Sequence, residues 1–91
     1  MSVKVRIPTQ LRPLAGGAGE VEVQATTVGE ALKALDATYP GFGERIFDGA
    51  GELRRFVNVF AGDEDVRFLE GLDTPVSEGA VISVVPAVAG G

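Results

Sequence analysis

Residues 26–41 read TTVGEALKALDATYPG, and the way this stretch folds decides the architecture of the chain. Val28, Ala31, Leu32, Leu35 and Tyr39 recur at helical spacing and form one apolar stripe. Glu30, Lys33 and Asp36 fall mostly away from it. Thr27 suits the N-cap, because its hydroxyl can accept from a backbone N–H that the first helical turn leaves unpaired. Glu30, three residues on, completes a capping-box pattern. Tyr39 precedes Pro40, whose ring disfavours helical geometry in the residue before it, so the helix should stop there.

Working outward, both flanks change to the two-residue period of strands. Val3, Val5 and Ile7 alternate with Lys4 and Arg6, which predicts a half-buried strand ending at Pro8. Pro13 and the following AGGAGE predict a flexible turn. Val21 and Val23 then alternate with Glu20, Glu22 and Gln24 as a second strand, so the two strands should form a hairpin. Past the helix, Phe42, Ile46 and Phe47 are expected to form a short helical turn with a satellite core. Phe56 to Phe60 predicts a strand apolar on both faces, and therefore covered on both. GDED reads as a turn, Val66 to Phe68 as a short edge strand, and Leu72 and Val76 as anchors of a polar connection. Val81 to Val85 forms the last strand, with Ile82 and Val84 on one face, and Pro86 should stop it. One helix and about five strands give an α+β sheet with the helix across one face. The other face is left to solvent and binding.

Ninety-one residues, 45% of them hydrophobic, suffice for one domain with one core. The formal net charge of −5 argues against nucleic-acid binding, which normally needs a basic face. With no Cys and no His, disulfides, thiol chemistry, the usual general base and the usual metal ligand are all missing. MSVKVRIP has no signal-peptide core and no long apolar run follows, so a soluble cytoplasmic protein is expected. GGAG and GAG do not run from a strand straight into a helix, so they read as turns rather than phosphate loops. Asp63, Glu64 and Asp65 fail as a calcium loop, because Arg67 stands where a third ligand is needed and Thr74 where a bidentate Glu is needed. No metal site is expected. Lys4, Arg6, Arg12, Arg54 and Arg55 read as scattered surface charge.

The ending, VVPAVAGG, remains. Ala87, Val88, Ala89, Gly90 and Gly91 are small and uncharged, and extended they reach at most roughly 17 Å. That suffices to enter a narrow active site on another protein, along a path that a Cβ would obstruct. The Gly91 carboxylate is ionised and unreactive at neutral pH, and becomes an electrophile only when acylated, for instance with AMP. Residues 1–86 should form the domain and 87–91 a flexible tail. Val85, Val88 and Phe60 are candidates for a docking patch on the partner-facing sheet.

On PAVAGG, RFVNVFAGDEDVRF and VKVRIPTQLRP together, the chain resembles the ThiS/MoaD family of ubiquitin-like sulfur carriers over nearly its whole length. FVNVF, DEDVRF and the ending are most similar to the branch serving cysteine synthesis in actinobacteria. The resemblance implies a β-grasp fold with the first and last strands adjacent and parallel. It implies no bound cofactor and no catalysis by the chain itself. An E1-like adenylating enzyme of the MoeB/ThiF type would use Mg-ATP to form an acyl-adenylate on Gly91. Sulfide, or the persulfide of a sulfurtransferase, would convert it to a thiocarboxylate. In the cysteine branch a PLP-dependent synthase accepts the sulfur and a metalloprotease releases cysteine; related carriers feed thiosugar, thiamine and tRNA thiolation pathways. The alternatives are a small subunit of molybdopterin synthase and a ubiquitin-like modifier of lysines. No membrane or nucleic-acid partner is implied.

Overall fold

The element that orders the molecule is α1 (Val28–Thr38), laid across one face of a five-stranded sheet. The structure is a computed structural model and describes residues 1–55 and 57–86. The expected stripe faces inward: Val28, Ala31, Leu32 and Leu35 are fully buried and Tyr39 half-buried. Glu30 N–H donates to the Thr27 hydroxyl at 3.2 Å, as the cap predicts. The return bond is shifted by one residue. Glu30 Oε1 accepts from the Thr26 N–H at 2.9 Å and the Thr26 hydroxyl at 2.8 Å.

β1 (Ser2–Arg6) and β2 (Glu20–Gln24) form the expected antiparallel hairpin, paired from Ser2↔Gln24 to Arg6↔Glu20. Its connection is not wholly a flexible turn. Thr9–Ala15 wind into a 3-10 helix, because Leu11 and Ala15 can reach the core from it, and only the glycines at 16 and 17 turn the chain. β3 (Val57–Ala61) is followed by β4 (Glu64–Asp65), a two-residue strand. The edge strand expected at Val66 to Phe68 is instead a 3-10 turn. The Asp65 carboxylate accepts from the Arg67 N–H at 2.8 Å, which caps that turn and ends the pairing. β5 (Val81–Pro86) lies centrally, parallel to β1 and antiparallel to β3, in the order β2-β1-β5-β3-β4. First and last strands are therefore adjacent and parallel, as the family resemblance implied.

Val3, Val5, Val23, Val59, Ile82 and Val84 supply the sheet's side of the core. Each fully buried aliphatic side chain contributes about 1.5–3 kcal/mol by leaving water. α2 (Phe42–Ile46) corrects the expected satellite core: Phe42 and Ile46 are 1% and 0% exposed and belong to the main core. The cause is Asp36 on α1, whose Oδ1 accepts from the N–H groups of Gly41 at 3.2 Å and Gly43 at 2.7 Å. These bonds hold α2 against α1. A Cβ at Gly43 would stand 2.9 Å from Asp36 Oδ2, so the approach needs glycine. Leu72 and Val76 pack on the core as anchors. A second 3-10 turn, Gly71–Asp73, leads to Thr74, whose carbonyl accepts from the Val28 N–H at 3.0 Å.

Candidate functional site

β5 delivers the chain to the tail, so its last residues define the site. Its ladder with β1 runs only from Lys4↔Val81 to Arg6↔Ser83, because β1 ends there and the chain turns at Ile7 and Pro8. Its ladder with β3 continues to Val57↔Pro86. Pro86 thus corrects one expectation: it does not stop the last strand but is paired within it. A proline is tolerated because this stretch of β5 has lost its neighbour on one side and is locally an edge.

The departure of β1 leaves a groove of about 400 Å3 beside β5, walled by Arg6, Ile7, Thr9, Arg12, Ser83 and Val85. Val84 is buried opposite Val59, whereas Val85, opposite Asn58, is 44% exposed on the outer face. Phe60 is half-buried on that same face, opposite Ser83 on β5 and Asp65 on β4. The two docking candidates from the sequence thus share one surface. Gly91, Ala87, Val88, Ala89 and Gly90 lie outside the described residues, as does Phe56, where β3 was expected to begin. β3 itself was expected to be covered on both faces. Val57 and Val59 are buried but Asn58 is half-exposed, because the helices cover one face only.

Arginines surround the end of β5, each with part of its guanidinium held by a neutral oxygen. Arg12 Nε donates to the Ile7 carbonyl at 3.1 Å. Arg67 spans from the Asn58 amide oxygen at 2.8 Å to the Arg54 carbonyl at 2.7 Å. Arg54 Nε donates to the Glu44 carbonyl at 2.9 Å. Lys4 and Arg6 stand 3.9 and 3.7 Å from Glu20 on the outer face. The sequence gave no hint that Arg67 joins this group, since it was read as part of a strand. The signal available was Asp65 two residues earlier, a residue that caps turns. Phe68 was also missed; it is 86% exposed beside Arg67.

The one carboxyl moved from its ordinary value is Glu30, held low by the hydrogen bond from the Thr26 N–H and then by that from its hydroxyl. It stands at the start of α1, at the end of the sheet marked by Ser2 and Gln24, away from Val85. Among the described residues no group of three or more acidic side chains could hold a metal ion. No helix of the described residues is long and apolar enough to cross a membrane. The arrangement offers a surface and a strand that leads out of it, with no acid–base pair beside them.

The model of the ThiS family matches residues 5–91. The chain is 46% identical over 93 aligned positions, all of both chains, to the sulfur carrier protein CysO of Mycobacterium tuberculosis. It superposes with a TM-score of 0.92 and 42% identity on a chain of the Amycolatopsis orientalis BexX/CysO complex, covering 98% of this chain and 99% of that one. It is also similar to SAMP1 of Haloferax volcanii, at 30% identity and a TM-score of 0.85 over all of both chains.

Proposed function

We infer from its membership of the ThiS family, to which this chain belongs, that the protein is a sulfur carrier, and that the sulfur is destined for cysteine. The observation that carries this is the 46% identity to CysO across all of both chains. Proteins of this kind are carried substrates rather than catalysts, and the sequence agrees, with neither His nor Cys to supply a base or a thiol.

The Gly91 carboxylate attacks the α-phosphorus of ATP in an E1-like adenylating enzyme, and pyrophosphate leaves. Magnesium belongs to that enzyme's nucleotide. Hydrosulfide then adds to the acyl carbon, and the C–O bond to AMP breaks with its electron pair. The Gly91 thiocarboxylate remains. A persulfide donor requires in addition a thiol that cleaves the resulting S–S bond. A PLP-dependent synthase takes the sulfur as acceptor, and a metalloprotease returns the carrier. All of this is cytoplasmic chemistry. Ala87 to Gly90 serve as the thread that passes through the partner's channel, and Val85 and Phe60 as part of the docked face. The exposed position of Val85 beside the last ladder pair supports that role.

Purified protein, incubated with its own organism's adenylating enzyme, Mg-ATP and sulfide, should gain the mass of one oxygen replaced by sulfur. Fragment ions should place the gain on Gly91. Consumption of ATP with no change in the carrier would overturn the mechanism. The likeness to SAMP1, a small archaeal modifier protein, favours one second reading, attachment to lysines. Isopeptide-linked species on denaturing gels of cell extract would support it.

A further inference from the structure

The sequence scatters its arginines, but the topology gathers four of them around the end of β5. Arg6 and Arg12 wall the groove on the β1 side, and no carboxylate lines that groove. On the β3 side, Arg67 reaches Asn58, the partner of Val85, and the carbonyl of Arg54 three residues before Val57. Arg54 is itself tied to the Glu44 carbonyl.

This positive collar stands on a chain of net charge −5 with thirteen carboxylates. Random placement would pair most of these arginines with acids. Yet among the described residues only Arg6 has a carboxylate partner, Glu20, at 3.7 Å. Arg12, Arg54 and Arg67 are fixed by neutral oxygens, which orient a guanidinium without cancelling its charge. Gly19 makes room for one of them, since a Cβ there would lie 3.3 Å from Arg12 Nε. Held cations with free charge favour a fixed anionic surface over solvent, because little side-chain freedom is left to lose on binding.

We propose that Arg6, Arg12 and Arg67 form a docking collar for the adenylating enzyme, whose active-site mouth carries carboxylates around an apolar seat for Val85. The proposal rests on the reading that the tail enters that enzyme. Charge complementarity selects the occupant, and position gives it a purpose. The collar encircles the strand that leads to the tail, so an acidic mouth would be steered onto the protein with the tail aimed inward.

The test is the rate of Gly91 adenylation against carrier concentration, at low and high sodium chloride, for wild type and Arg12→Gln/Arg67→Gln. Wild type should lose roughly tenfold in kcat/KM as salt screens the collar. The double variant should show KM raised roughly tenfold at low salt, kcat retained, and a flatter salt dependence. Arg67 also ties β3 to its neighbours, so Arg6→Gln/Arg12→Gln, which leaves those bonds intact, should show the same split. Unchanged KM in both variants would overturn the collar. Inhibition by inorganic phosphate beyond that of chloride at equal ionic strength would assign the groove to a free anion and likewise overturn it. Wild type that is not adenylated at all would remove the reading beneath the proposal, an outcome distinct from either.

Discussion

Gly90 acts through the side chain it lacks. A methyl group there would be carried into the partner's channel, close to the reacting carbon. Gly90→Ala should slow adenylation roughly tenfold to a hundredfold, as misplacement of a reacting group does, and leave the thermal midpoint unchanged. Equal rates for both proteins would show that the channel is wider than the thread requires. Glu30 governs a different property. Its folded pKa lies below the ordinary 4.5 because the Thr26 N–H and hydroxyl bind its charged form. A depressed carboxyl contributes stability that is present above its unfolded value and lost as pH falls through the folded one. Wild type should therefore lose more stability below about pH 4.5 than Glu30→Gln does, and denaturant melts across that range would measure the difference. Parallel acid limbs would contradict the assignment.

At the scale of elements, local rules predicted what local forces decide. The cap of α1 was legible from Thr27, its inward face from the stripe, and its end from Pro40. Thr27→Ala should cost about 1 kcal/mol, read by urea unfolding. The strand periods of β1, β2 and β5 were legible too. What failed was set by distant partners. Ile46 was expected in a satellite cluster, but two hydrogen bonds to Asp36, ten and more residues upstream in fold terms if not far in sequence, bring α2 onto the main core. Ile46→Ala should accordingly cost about 2–5 kcal/mol, the range for an emptied core site, where a satellite position would lose far less. Val66 to Phe68 looked like a strand by composition, yet a capped turn won, because β4 had already used the available pairing. Pro86 looked like a terminator and is paired with Val57, because the sequence does not say that β1 leaves β5 before that point.

For the whole molecule, the sheet order β2-β1-β5-β3-β4 follows from no local pattern, and it is the order that matters for function. It sets the end of β5 between two strands that stop or start there, and so collects Arg12, Val85 and Arg67 from three distant parts of the sequence. Each was readable alone only as surface charge or a sheet side chain. The chemistry at the other end of the argument was legible directly, since a chain without Cys or His has few places to hold a reactive group. The structure thus divides the labour: a folded body that presents a face, and a terminal group that is altered. The central claim is that Gly91 exists in the cell as a thiocarboxylate. Intact-mass and fragment-ion measurement of protein purified from its own cells, under conditions that preserve thioacids, tests it most directly. A fraction heavier by the exchange of one oxygen for sulfur, with the increment on Gly91, is the predicted result. A carrier found only with its carboxylate, in cells that contain the active adenylating enzyme, would contradict it.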